Sequence, residues 1–277
     1  DIYGTEENMR DAFIEFSGKL KPGGLLLSKF GLARGKELSA GPGGKSKRHL
    51  TYSLQNETAD VYTTNIRMIN GSYEFDVKMK DNMLDNVMLA MGGMHNVENA
   101  IAAITVASSL HIENEKIKTA VAAFKGVKRR FEYIIKNDRL IFIDDYAHHP
   151  QELKALIQSA KTLFRQKKCT IIFQPHLFTR TKDFASGFAA ALDLADEVIL
   201  LPVYPARELQ IERVSSELVL DKMKNENKKL MRKEELMNWI ENDYSKNINA
   251  EFGDVLITAG AGDIDALVEP IKNVLEP

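Results

Sequence analysis

The sequence predicts an α/β protein in two parts: a β-rich first part, then a second part organised around a mostly parallel sheet. Three observations carry that expectation. From residue 139 to 274, short apolar runs alternate with segments of helical spacing, the order that gives parallel strands joined by right-handed helical crossovers. Between residues 50 and 89 the chain shows successive β-rich runs, with the hairpin signal Asn70-Gly71 between two of them. Finally, two clusters of chemistry-bearing polar residues directly follow apolar strands, the place where open α/β sheets bind ligands.

The elements follow in order. Residues 6–20 have helical character and stop at Lys21-Pro22-Gly23-Gly24; residues 25–30 read as a buried strand. A Gly-rich loop covers 31–48, and strands are expected at 50–54, 59–68, 73–78 and 84–89. The alanine-rich stretch 97–110 and the segment 113–124 read as helices, the second ending near Gly126. In the second part, strands are expected at 139–145, 169–175, 197–203 and 254–259. Helices fit 150–166, 182–195, 215–226, 233–243 and 263–274. The boundary is placed within 126–132, giving parts 1–127 and 128–277. The lysine-rich stretch 222–233 reads as a solvated helix face and its flank. No period of about 20–50 residues recurs, which excludes a repeat protein.

Bulk properties narrow the class. A length of 277 residues suits two ordinary domains, and 44% hydrophobic with 27% charged residues suits a soluble globular protein. A formal charge of −2 provides no basic field, so nucleic acid is not an expected partner. The single cysteine, Cys169, excludes an internal disulfide and fits a reducing cytoplasm; at the start of an apolar strand it reads as a buried structural thiol. No apolar run approaches about 18 residues, so no membrane span is expected, and no signal peptide is recognisable. The chain opens Asp1-Ile2-Tyr3-Gly4 without methionine and reads as a piece of something longer.

The most informative tract is Asp144-Asp145-Tyr146-Ala147-His148-His149-Pro150, set between an apolar strand and a helix that Pro150 suits as a first residue. The second cluster, Gln174-Pro175-His176-Leu177-Phe178-Thr179-Arg180-Thr181, follows the next apolar strand. If the two strands are parallel neighbours joined by the 150–165 helix, His148, His149 and His176 converge with Asp144, Asp145 and Arg180 at one edge of the sheet. Zinc competes for such residues, but adjacent histidines rarely share one ion and no HxxxH or CxxC spacing supports a cage.

Other motifs are weaker. Ser39 to Ser46 ends in Gly-Lys-Ser, but Ser39 stands where a phosphate loop needs glycine and Pro42 removes an amide, so a surface loop is expected. Gly260-Ala261-Gly262-Asp263-Ile264-Asp265 begins like a dinucleotide fingerprint, but Asp265 replaces its last glycine. Asn96 and Asn99 lie three apart on one face of a starting helix; they suit either adenine recognition or an N-cap with a polar shoulder. Arg129 and Arg130 suit either phosphate oxygens or a surface salt bridge.

In their order, HNVEN, GVKRRFE, DDYAHHP, FQPHLFTRT, LPVYPARE and TAGAGDI resemble the Mur ligase family, the ATP-dependent amino-acid ligases of peptidoglycan synthesis. DDYAHHP and FQPHLFTRT are similar to the branch that joins L-alanine to UDP-N-acetylmuramate. The resemblance covers nearly the whole chain. It implies that residues 1–127 are the later part of a P-loop-type central ATP-binding domain, and 128–277 a Rossmann-like C-terminal domain that binds the amino acid. The family's sugar-nucleotide domain, phosphate loop and Mg2+ ligands would lie before Asp1, so the chain is expected to be inactive alone.

The implied chemistry activates the muramate carboxylate with ATP as an acyl phosphate, which the alanine amine then attacks. The second domain would close over the nucleotide. By motif position, the resemblance assigns Asn96 and Asn99 to adenine, Arg130 to ATP phosphates, and Asp145 to the ribose or the nucleotide side of the cleft. Tyr146, His148, His176 and Arg180 would line the alanine pocket, and one of the two histidines would accept the amine proton. No metal ligand is expected within the chain. A cytoplasmic monomer or weak dimer is implied, without membrane insertion. The alternatives are the sister ligase that adds a recycled tripeptide to the same sugar and, from another class, a non-catalytic or dinucleotide-binding Rossmann-like module. Two positions depart from relatives: Leu177 stands where many carry a basic residue, and Arg207 where glycine is common.

Overall fold

A computed structural model describes residues 3–40 and 48–276. They divide into two compact units: residues up to Ala90 with Met94–Phe124, and Met91–Gly93 with residues from Lys125 onward.

In the first unit, helix α1 (Glu6–Gly18) starts where Thr5 Oγ1 accepts the Asn8 amide at 3.1 Å, an N-cap bond. Strand β1 (Leu25–Lys29) follows. The expected loop 31–48 instead holds a short helix, α2 (Gly35–Ala40), which Arg34 ties to α1 through Glu7 and Asp11 while also pairing with Glu37. Residues 41–47, which hold most of the phosphate-loop look-alike, lie outside the described residues. Strands β2 (Arg48–Ser53), β3 (Val61–Ile69), β4 (Ser72–Met79) and β5 (Asn82–Leu89) complete a sheet ordered β1-β2-β3-β4-β5. It is parallel from β1 to β3 and antiparallel beyond. The Asn70-Gly71 turn has positive φ at both residues, as a two-residue hairpin loop requires. Helices α3 (Met94–Ser109) and α4 (Asn114–Ala123) pack on this sheet, burying Val97, Ile101, Ile104 and Ile117.

The second unit carries β6 (Glu132–Lys136), β7 (Leu140–Asp145), α5 (Pro150–Leu163), β8 (Lys168–Phe173), α6 (Phe178–Leu192), β9 (Glu197–Leu200) and α7 (Glu217–Leu220). Then come β10 (Lys228–Leu230), α8 (Lys233–Trp239), β11 (Asp254–Ala259), a 3-10 turn (Asp263–Leu267) and α9 (Val268–Leu275). The sheet runs β10-β9-β8-β11-β7-β6 and is parallel except for β6. Both faces are covered. Ile141, Ile143 and Ile171 pack with Leu153, Ile157 and Phe188 on one side; Phe142, Ile172 and Leu256 pack with Trp239, Ile240 and Ile271 on the other. That double burial explains why these strands are near-continuous apolar runs.

Three expectations are corrected. β7 and β8 are not neighbours: β11 lies between them and pairs in parallel with both. The stretch 215–226 is helical only over Glu217–Leu220, and the lysine-rich segment after it forms edge strand β10 rather than a helix face. Lys228 there extends its ammonium to the carbonyls of Leu220 and Met223 at 3.0 and 2.6 Å, and charge suits an exposed edge. The junction segment Glu132–Lys136 is itself a strand, antiparallel to β7.

Candidate functional site

Because β7, β11 and β8 are parallel, their C-terminal ends emerge side by side. The loop after β11 therefore stands between the two polar clusters. Gly260 has φ +145, and a Cβ there would meet the Gln174 carbonyl at 2.7 Å; one on Gly262 would meet Gln174 Oε1 at 2.5 Å and Tyr204 Cβ at 2.7 Å. These glycines let the loop pack against the β8 cluster. Asp263 in the same loop accepts from Gln174 Nε2 at 2.9 Å and pairs with Lys233 at 2.6 Å.

Asp144 is 2% exposed and serves as an anchor rather than a ligand-facing acid. It accepts from Thr258 Oγ1 at 2.6 Å and Arg129 Nε at 3.1 Å. Burial raises its pKa, and those two donors oppose the rise. Asp145 accepts from the amides of Phe131 at 2.7 Å and Ala147 at 2.8 Å. Burial, with the charges of Asp144 and Glu152 adding, still pushes it up to about 6.

Tyr146 is 42% exposed, and its ring meets the His148 ring edge-on at 5.3 Å. The His148 and His176 rings lie 6.5 Å apart, and Arg180 Nη1 reaches His176 Nδ1 at 3.2 Å. His176 also stacks on Tyr204 at 5.8 Å and 15°. Tyr146, His148, His176 and Arg180 are thus brought together. His149 is not: it turns its ring to Phe184 at 4.6 Å and heads α5, where Glu152 accepts the amides of both His148 and His149.

Hydrogen-bond chemistry distinguishes the two histidines. His148 Nδ1 lies 2.9 Å from the Tyr146 carbonyl, which can only accept, so Nδ1 carries hydrogen and neutral His148 has its lone pair on Nε2. Arginine can only donate, so His176 Nδ1 accepts from Arg180 and neutral His176 carries hydrogen on Nε2. Burial first, then the charges of Arg180 and His148, lower the His176 pKa.

Arg129 was open to a surface salt-bridge reading; instead its side chain is 13% exposed, bound to Asp144 and to the Gly260 carbonyl. Arg130 next to it is exposed and pairs with no side chain among the described residues. In the first unit, Asn96 and Asn99 lie inside the first turns of α3 rather than at its cap; Asn96 is 8% exposed and Asn99 exposed. Among the described residues no three His, Cys, Asp or Glu side chains cluster as a metal cage. Sequence reasoning missed Thr258, Gln174 and Tyr204, and offered Arg129 only as a phosphate ligand or a surface ion pair. Each sits within a motif already quoted, and only the strand order shows that they join the clusters.

The family model for the Mur ligase middle domain matches residues 1–107, and that for the Mur ligase glutamate ligase domain matches 129–262. A UDP-N-acetylmuramate–L-alanine ligase of Parabacteroides distasonis is 42% identical over 275 residues, covering 99% of this chain and 56% of that protein. One of Porphyromonas gingivalis is 40% identical over 276 residues, covering 100% and 58%. The chain thus spans little more than half the length of the curated relatives it matches. Among solved structures, the UDP-N-acetylmuramate-alanine ligase MurC of Thermotoga maritima superposes with a TM-score of 0.73 at 25% identity, covering 98% of this chain and 55% of that one. MurF of Acinetobacter baumannii superposes with a TM-score of 0.73 at 18% identity, covering 98% and 56%, a likeness of fold.

Proposed function

The chain belongs to the Mur ligase family, and from that premise we propose that it is part of an ATP-dependent ligase that joins L-alanine to UDP-N-acetylmuramate. Mur ligases are ATP-dependent as a family. The observation that carries the alanine assignment is the convergence of Tyr146, His148, His176 and Arg180 at one sheet edge, in a chain about two-fifths identical to alanine-adding relatives.

Arg180 keeps donors beyond the one given to His176 and pairs the alanine carboxylate. His176, protonated on Nε2, adds a second donor. His148 Nε2 takes the proton that leaves the amine as its nitrogen bonds to the activated carbonyl carbon and the C–O bond to phosphate breaks, while the His148 Nδ1–H stays donated to the Tyr146 carbonyl. Holding amine and carbonyl in line supplies most of the remaining rate.

ATP would supply the phosphoryl group that activates the sugar carboxylate. The residues present suit it: Arg130 has an exposed guanidinium for phosphate oxygens, Asn96 and Asn99 stand one turn apart for adenine, and Asp145 keeps lone pairs for a ribose hydroxyl. No cluster among the described residues is offered to Mg2+. Among the described residues no helix is long and apolar enough to cross a membrane, and a cytoplasmic reaction is part of this proposal.

The test is phosphate release from ATP by the full-length gene product with UDP-N-acetylmuramate. Release that requires added L-alanine is expected. Release that requires a tripeptide instead would transfer the assignment to the sister ligase, and release with neither would refute it.

A further inference from the structure

We propose that Arg129 is the positioning residue of the amino-acid pocket, acting through Tyr146 on His148. The inference rests on the alanine reading above but uses a residue that reading leaves without a role.

Two left-handed residues, Arg129 at φ +60 and Phe131 at φ +48, fold the GVKRRF tract into a tight turn. That turn sends Arg129 inward and leaves Arg130 exposed. The Arg129 guanidinium then meets three groups on two pieces of chain, and Asp265 Oδ2 lies 3.8 Å from its Nη1. Nε meets Asp144 at the end of β7 at 3.1 Å, Nη2 meets the Gly260 carbonyl after β11 at 2.5 Å, and the planar group lies 5.0 Å from the Tyr146 ring centroid. The Arg129 carbonyl accepts the Tyr146 amide at 2.7 Å, so ring and backbone of Tyr146 are both held by one residue. The Tyr146 carbonyl in turn receives His148 Nδ1–H, the bond that leaves Nε2 free. A planar fork is needed, because a lysine ammonium cannot reach Asp144, Gly260 and the ring together.

The nucleotide-side residues are held by other means. Asp145 is fixed by the Phe131 and Ala147 amides, and the Arg130 amide by the Val127 carbonyl at 3.1 Å. Loss of the Arg129 fork therefore loosens the amino-acid side selectively.

The experiment compares wild-type, Arg129→Lys and Arg129→Met full-length gene products in two measurements. Ring-nitrogen NMR reports the His148 tautomer, whatever the reaction turns out to be. Wild-type protein is expected to hold hydrogen on Nδ1, and both variants to weaken that preference, which Glu152 Oε2, 3.6 Å from Nδ1, supports in part. Steady-state kinetics is expected to give a kcat lowered roughly tenfold or more in both variants, because His148 is the base, with a smaller rise in alanine KM and the ATP KM little changed. An unchanged His148 tautomer overturns the proposal. So does a lysine variant with wild-type kcat, or an ATP KM raised as much as the alanine KM alongside a lowered Tm, which marks a merely structural ion pair. If wild-type protein shows no alanine dependence, the ligase reading fails while the tautomer measurement still decides the positioning role.

Discussion

Replacing His148 by asparagine tests the division of labour between the two histidines. The asparagine amide nitrogen falls near the place of Nδ1 and keeps a donor for the Tyr146 carbonyl, now 2.9 Å from Nδ1, while the basic Nε2 is gone. The loss is thus confined to proton acceptance. A positioned general base contributes about 10²–10⁴ in rate, so kcat should fall by that factor, about 3–5 kcal/mol of barrier. His176→Gln makes the complementary change. It keeps a donor near the place of Nε2 but removes the Nδ1 acceptor that lies 3.2 Å from Arg180. Its main effect should be on alanine binding, with KM up by about tenfold and kcat down by less than about tenfold. The assay is alanine-dependent phosphate release by the full-length gene product at saturating ATP and sugar nucleotide. A larger fall in kcat for His176→Gln than for His148→Asn would refute the assignment of the base.

Two further predictions concern the anchors beneath the site. Thr258→Val removes the hydroxyl that donates to buried Asp144 at 2.6 Å and should cost about 2 kcal/mol in urea unfolding; less than about 0.5 would mean the bond carries little. Asp145 has a folded pKa raised from 3.8 to about 6, so its contribution to stability is full below about pH 4 and is lost as pH rises through about 6. Asp145→Asn lacks that titration. Beyond a constant offset from its altered amide contacts, its stability relative to wild-type should improve between pH 4 and 7 by up to about 3 kcal/mol, and a difference that stays flat with pH would contradict the shift.

Much of this molecule is legible in the chain because its signals are local. Strands buried on both faces must be short apolar runs, so β7, β8 and β11 stand out without knowledge of their neighbours. Asn70-Gly71 announces its hairpin because both turn residues need positive φ. The polar tracts after β7 and β8 are visible for a similar reason: such residues are costly beside a core unless they have a task or a partner. Other elements escape local reading. β10 is a strand only because β9 offers it an edge, and its lysines by themselves resemble a solvated helix face.

The sequence by itself determined the family, the α/β class, and the motifs from which the candidate site is drawn, since these depend on residue order and local spacing. Tertiary structure alone decided how that set is divided. Insertion of β11 between β7 and β8 brings Thr258 and Gly260 to Asp144 and Arg129, which turns one carboxylate into an anchor and one arginine into a clamp. It also decided which histidine keeps a free basic nitrogen, because a tautomer is set by the partner across the hydrogen bond. For His148 the partner is a carbonyl that can only accept, and for His176 a guanidinium that can only donate.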